Sequence, residues 1–304
     1  MRLASSILLF GYTASALAAD GIAHAWWTWL LALFAVSFVI GIVAVLAGVG
    51  GGVLFVPIVG SFFPFHLDFV RGAGLLFALA GTLAAGPMLL RSRMASLRLA
   101  VPLALAGSIA SFAGAVVGLS LRTDVIQVAL GTTVIAIALL IWRTKDASVA
   151  GVVESDALGA MLRLRGKFED PAEGVAIDWR TRRTLGGFAA FGGIGFLGGV
   201  FGLGAGFANV PALNLLMAAP LKLAVGTSGL IISIVNSSAA WVYIHRGALL
   251  PALAVPAVLG VMLGSRIGAR LLARTPSAVV RRLVIAVMLV AGMRALLRGL
   301  GVWP

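Results

Sequence analysis

The sequence predicts an all-α polytopic membrane protein built from two inverted-topology repeats. The first reason is composition: 61% of the 304 residues are hydrophobic and 11% are charged, whereas a soluble domain has roughly a quarter charged residues. The second is a glycine-rich decapeptide at residues 48–57 that returns at 202–211 with five of ten positions identical. Glycines and a proline interrupt helices, and paired interruptions in an apolar chain are typical of transport sites.

Each half contains five apolar segments, and the second segment of each half is short. The segments are 26–47, 53–65, 69–90, 98–120 and 124–142, then 185–201, 207–219, 223–243, 248–271 and 277–298. A spanning helix needs about 20 residues, whereas a helix of about 13 residues rises only roughly 20 Å. We therefore expect about four full helices per half, plus one short broken helix after a Gly-rich turn at membrane depth.

The repeat extends beyond the glycine motif without a gap, which indicates a duplication rather than a chance match. At the same offset of 154 residues, four further sites match. They are Gly72 with Gly226, Val101-Pro102 with Val255-Pro256, Ser111 with Ser265, and Gly114 with Gly268.

The chain divides into four parts on this basis. Residues 1–19 are predicted to be either a secretory signal peptide or an extra N-terminal helix, since Arg2 precedes an apolar run and small residues. Residues 25–143 form the first transmembrane repeat and 185–304 form the second. The stretch 144–184 holds seven of the ten acidic residues, so we expect a solvated cytoplasmic linker.

The distribution of basic residues gives the orientation. With the linker in the cytoplasm, sixteen of the 23 Lys and Arg residues fall on the inner side and five on the outer side. This positive-inside bias accounts for the net charge of +13 without a nucleic-acid partner. An odd number of crossings per half makes the two halves antiparallel, which is the plan of an inverted repeat.

The two glycine turns are the candidate anion site. A turn without side chains exposes backbone N–H groups, and the helix that follows adds its positive end. The turn residues are Gly50, Gly51 and Gly52 in the first copy and Gly204, Ala205 and Gly206 in the second. The alternative is that small residues here only allow helices to pack closely.

Polar side chains of the second half add neutral donors to this candidate substrate site, namely Asn209, Thr227, Ser228 and Asn236. The alternative for the hydroxyl groups is a bond to their own backbone or to a neighbouring helix. Arg71 is a further candidate for substrate binding, and Arg266 is a candidate gating or electrostatic residue. Snorkelling to the membrane interface is the alternative for both arginines.

Several other kinds of site are disfavoured. The chain has no cysteine, which excludes thiol catalysis and Cys-ligated metals. Outside the linker only Asp20, Asp68 and Asp124 are acidic, whereas cation carriers usually have intramembrane carboxylates. Residues 226–229 fit the GxSG pattern of an intramembrane serine protease, but His245 lies about 25 Å further along the helix. We predict no catalytic residue, no metal site and no cofactor.

These motifs resemble the TauE/SafE sulfite exporter family. The resemblance covers roughly residues 28–298 and rests on the two glycine motifs, the Ala-Val-Gly-Thr-Ser run at 224–228 and the Gly-Ser-Arg-Ile-Gly-Ala-Arg-Leu run at 264–271. It implies a multi-pass permease of the bacterial inner membrane that moves sulfite or a small organosulfonate by alternating access. Ala205 interrupts the second glycine triplet, and the first copy lacks the Gly-Thr-Ser run.

Other interpretations stay open beside this one. The chain could be a non-transporting membrane scaffold, an intramembrane enzyme, or a carrier of another small anion or a metal. The expected partners are a small anionic substrate and membrane lipid, with a homodimer left open.

Overall fold

A computed structural model describes residues 26–48, 50–63, 65–143, 155–169, 174, 176–204 and 206–302. The segment 1–19, predicted to be a signal peptide or an extra helix, lies outside these ranges. The first half contains α1 (Trp26–Ala47), α2 (Gly52–Phe62), α3 (Leu67–Arg91), α4 (Leu97–Gly118) and α5 (Thr123–Arg143). The linker contains α6 (Ala157–Met161), β1 (Arg165–Glu169) and β2 (Ala176–Arg180). The second half contains α7 (Thr184–Phe201), α8 (Gly206–Pro211), a π-helical turn (Ala212–Leu216), α9 (Leu221–His245), α10 (Pro251–Arg274) and α11 (Ser277–Gly299).

Six helices are long and apolar enough to cross a bilayer, namely α1, α3, α4, α7, α9 and α10. Helices α5 and α11 are also long, with 21 and 23 residues. Four arginines make α11 less apolar than the other long helices. The protein is therefore a mostly helical, multi-pass membrane protein.

Both predicted helix breaks are present, and both depend on glycine. Gly48 and Gly202, which follow the ends of α1 and α7, have φ angles of 66° and 64°. Gly50 and Gly204 both have φ of 75°. This left-handed region is open to glycine and costly for residues with a β-carbon, so the glycines of both motifs turn the chain in the same way.

Contacts between the halves repeat with the halves exchanged. In each case a glycine packs against one residue of the other half, and its repeat equivalent packs against the equivalent residue. The pairs are Gly41–Val261 with Gly195–Gly107, Gly268–Ile42 with Gly114–Phe196, Gly72–Ala248 with Gly226–Met94, and Gly48–Val225 with Gly202–Arg71. As a result α1 packs along α10, and α7 packs along α4 in the equivalent manner.

Equivalent helices of the two halves run antiparallel where they touch. Along the pair α3 and α9, Gly72 lies against Tyr243 and Gly229 lies against Thr82. Helices α5 and α11 behave likewise, since Gly131 lies against Leu296 whereas Gly292 lies against Ile135. In both pairs, residues later in one helix contact residues earlier in the other helix, as in antiparallel packing.

The described part of the linker is folded. Strands β1 and β2 form an antiparallel hairpin, and Phe168 and Trp179 are buried in it. Asp156 anchors this unit to α7, because its carboxylate accepts hydrogen bonds from the Thr184 backbone N–H at 2.8 Å and the Thr184 hydroxyl at 2.7 Å. A carboxylate at a helix N-terminus also complements the helix dipole.

A matched pair of substitutions on α7 tests the close helix contacts. A β-carbon at Gly195 would overlap the carbonyl oxygen of Gly107, whereas Gly193 is exposed and has no neighbour within 4 Å. We expect Gly195→Ala to lower the free energy of unfolding by about 1–3 kcal/mol through overpacking. Gly193→Ala should raise it by about 0.5–1 kcal/mol through helix propensity. Thermal unfolding in detergent measures both, and equal effects would contradict the packing described.

Asp156 provides a test of linker docking. Burial opposes ionisation, but the hydrogen bonds from Thr184 outweigh it and hold the pKa of Asp156 below its ordinary value. A lowered pKa means that docking is stabilised above the ordinary carboxyl pKa and is lost as pH falls through the folded-state pKa. We expect Asp156→Asn to increase tryptic cleavage within the linker at neutral pH. Asp178→Asn, on the exposed face of the hairpin, is the control that should leave cleavage unchanged.

Candidate functional site

The two glycine turns meet in the interior of the protein. Gly52, at the start of α2, lies so close to the backbone carbonyl of Leu203 that no β-carbon could fit. Gly51 is equally confined, because a β-carbon there would lie 2.5 Å from the ring of Phe77. The turns are therefore adjacent, but there is no space for a ligand between Gly52 and Leu203.

Ser228 satisfies the broken end of α1. Its hydroxyl donates a hydrogen bond to the carbonyl oxygen of Gly48 at 2.7 Å. The neighbouring Thr227 accepts a bond from the backbone N–H of Ser96, the residue that precedes α4, at 3.1 Å. Both side chains are fully buried. The structure thus brings these two predicted substrate ligands to helix ends, where each already has a protein partner.

Arg71 satisfies the broken end of α7. Its guanidinium donates to the carbonyl oxygens of Val200 and Phe201, and to that of Gly118 at the end of α4. It also forms a 3.1 Å ion pair with Asp68 and lies 5.4 Å from the ring centroid of Tyr243. Only 2% of Arg71 is exposed, so this predicted anion ligand is a helix cap in the present conformation.

Two buried amides lie at the second glycine turn. Asn209 belongs to α8, directly after the turn, and the side chain of Asn236 in α9 fills the space that a β-carbon on Gly204 would need. Both residues are 0% exposed. Within the described ranges, neither the nitrogen nor the oxygen of either amide has a hydrogen-bond partner. An unsatisfied buried polar group costs about 1–3 kcal/mol, so the two amides are candidate ligands for a bound solute or for water.

A narrow cavity borders the first glycine turn. Its lining includes Gly48 and Gly50 of the turn, Gly81 and Thr82 of α3, Gly226 of α9 and Ser265 of α10. Most of this lining is apolar, and the space suits a water molecule better than a larger ligand. The Thr82 hydroxyl donates to the carbonyls of its own helix, at Ala78 and Leu79.

The remaining predicted residues have different surroundings. Arg266 lies on the exposed face of α10, on the side of the helix away from its buried neighbour Ser265, as expected for the snorkelling alternative. Gly206 is buried at the first position of α8. Ala205 lies outside the described residues.

Sequence reasoning did not assign Ser265 and Tyr243 to the site. The sequence offers one signal for Ser265, which is its match with Ser111 in the repeat. In the structure both hydroxyls are buried without a hydrogen-bond partner in the part of the chain that the structure describes. Tyr243 carried no such signal. It donates to the carbonyl of Gly199 at 3.4 Å, and its importance depends on the three-dimensional position of Arg71.

Comparison with known proteins gives one family. The model described as "Sulfite exporter TauE/SafE" matches residues 33–295, which is most of the chain and the range in which both glycine turns lie. No curated protein and no solved structure matches the chain.

The buried cap can be tested against an exposed ion pair on the same side of the bundle. We expect Arg71→Leu to lower the free energy of unfolding by at least about 2 kcal/mol, because buried carbonyls lose their donors. Arg122→Leu removes an ion pair with Asp124 whose side chains are 85% and 66% exposed, so it should cost no more than about 1 kcal/mol. Thermal unfolding in detergent distinguishes the two, and an Arg71→Leu variant as stable as wild type would contradict the capping role.

Proposed function

The chain belongs to the TauE/SafE sulfite exporter family of membrane transporters, and we propose that it carries a small sulfur-containing oxyanion such as sulfite or an organosulfonate. Membership of this family implies a small anionic substrate and argues against an enzyme. The substrate, the binding residues and the transport mechanism are the proposal.

The pair of unpartnered amides, Asn209 and Asn236, is the observation that carries the proposal. A neutral amide NH₂ group donates two hydrogen bonds and can bind an oxyanion without the strong attraction of a full charge. A carrier must release its substrate on the far side of the membrane, so neutral donors suit it better than an ion pair. Arg71 lies beside Gly202, but its charge is paired with Asp68, so the neutral amides rather than this arginine carry the proposal.

Alternating access by two inverted halves is the proposed mechanism. The exchanged glycine contacts and the antiparallel pairs α3/α9 and α5/α11 support a twofold relation between the halves. In carriers of this plan, the halves rock about a site at their interface. Rocking would change the contacts of Gly52 with Leu203, where the two turns touch.

The proposed orientation places the linker in the cytoplasm and the protein in the bacterial inner membrane. The excess of Lys and Arg on the linker side supports it. On this assignment the loop after α3, with Arg91 and Arg93, is cytoplasmic. Asp68, Arg71 and Tyr243 then lie toward the outer side.

Transport in proteoliposomes tests the function directly. We expect uptake or counterflow of labelled sulfite or sulfoacetate above that of protein-free liposomes, with sulfate and nickel as competing candidates. Uptake of nickel with no movement of any oxyanion would contradict an anion carrier. No transport of any of these solutes by folded protein would favour a scaffold instead.

The substitution Asn236→Leu distinguishes a loss of substrate binding from a loss of protein stability. The change replaces an unsatisfied amide by an apolar group of similar shape, so we expect the free energy of unfolding to stay the same or rise by about 1–3 kcal/mol. Transport should fall at least tenfold, because the donor is lost. Ser237→Ala is the control, since Ser237 is exposed and bonds its own helix at Ser233. Undiminished transport in Asn236→Leu would contradict the assignment.

A further inference from the structure

The cavity beside the first glycine turn lies toward the cytoplasmic side in the proposed orientation. It reaches Leu89, near the end of α3, and Gly226, near the beginning of α9. Arg91 ends α3, and the loop that follows carries Arg93 and Met94, of which Met94 packs against Gly226. The cavity therefore lies next to the loop with the inner-side positive charges.

Ser265 is the polar residue of this cavity whose hydroxyl makes no hydrogen bond to the described part of the protein. It is 1% exposed, and its Oγ has no hydrogen-bond partner among the described residues. Serines on membrane helices commonly bond a carbonyl of their own helix, as Ser92 does with Met88 in this protein. The Ser265 hydroxyl instead packs directly against Gly81, where a β-carbon would lie 2.9 Å from it, and both residues line the cavity.

The equivalent region of the other half is filled by larger side chains. We compared the residues that line the cavity with their repeat equivalents, 154 positions away in the other half. Val225 corresponds to Arg71, Gly229 to Leu75, Thr82 to Asn236 and Leu89 to Tyr243. All four replacements are at most 2% exposed. The two sides of this twofold arrangement thus differ: small residues leave a space on the cytoplasmic side, and Arg71 with Tyr243 occupies the outer side.

We propose that this cavity is a cytoplasm-facing binding position for a small oxyanion, with the Ser265 hydroxyl as its hydrogen-bond donor. The inference rests on the proposed function and adds a second position to the site of Asn209 and Asn236. The cavity is narrow, so binding requires Leu89 and Leu230 to change rotamer or α10 to move away from α3.

Cysteine accessibility tests the position, and the absence of native cysteine makes single substitutions unambiguous. In Ser265→Cys, we expect 2-sulfonatoethyl methanethiosulfonate, which does not cross membranes, to react in inside-out vesicles and to react more slowly in right-side-out spheroplasts. Ser37→Cys is the matched control. Ser37 is also fully buried without a hydrogen-bond partner in the described ranges, but it packs against Gly260 and does not line the cavity.

Protection by ligand tests the chemistry. Sulfoacetate, isethionate, sulfate and phosphate are the probes, because sulfite would cleave the disulfide formed by the reagent. We expect at least one of them to slow the labelling of Ser265→Cys at least threefold. Labelling no faster than that of Ser37→Cys, or no protection by any probe, would overturn the inference.

Transport kinetics give an independent measurement. Ser265→Ala removes the proposed donor to a charged ligand, so it should raise KM at least about tenfold, whereas Ser37→Ala should stay within about twofold of wild type. An unchanged KM in Ser265→Ala would also overturn the inference. The two failures are distinguishable: protection without transport contradicts the carrier function, and transport without labelling or protection contradicts only this cavity.

Discussion

The need to satisfy backbone groups inside a bilayer governs this structure. Where α1 and α7 break, their terminal carbonyls have no water to bond, and the opposite half supplies the donors. Ser228 of the second half bonds Gly48 of the first, and Arg71 of the first half bonds Val200 and Phe201 of the second. Each helix break is thus capped by a side chain of the opposite half.

This reciprocal arrangement is symmetric in the backbone but not in the side chains. The glycines that break α1 and α7 have nearly the same φ angles at equivalent positions, and four pairs of glycine contacts between the halves are equivalent. Within the turns the partners differ, since Gly50 meets Ile232 whereas Gly204 meets Asn236. The caps differ, since one is a hydroxyl and the other is a guanidinium held by Asp68 and Tyr243.

Much of the fold could be predicted from the sequence, and less of the site. Apolar length and the glycine motif place all ten apolar segments within a few residues of the observed helices, six of which are long and apolar enough to span a bilayer, because bilayer thickness and glycine φ angles are local constraints. The capping roles of Arg71, Thr227 and Ser228 could not be predicted, since their partners are distant in sequence. The amides of Asn209 and Asn236 were predicted as ligands from residue type alone. Only the fold reveals that they are buried without protein partners among the described residues.

In the proposed function, the amides of Asn209 and Asn236 bind an oxyanion at the second glycine turn. The most direct measurement is a crystal structure with 2-bromoethanesulfonate, whose bromine gives an anomalous signal that locates the bound molecule. We expect an anomalous peak beside Gly204, with sulfonate oxygens within hydrogen-bond distance of the Asn209 and Asn236 amides. A saturated binding site elsewhere in the protein, with both amides bonded to protein or water, would contradict it.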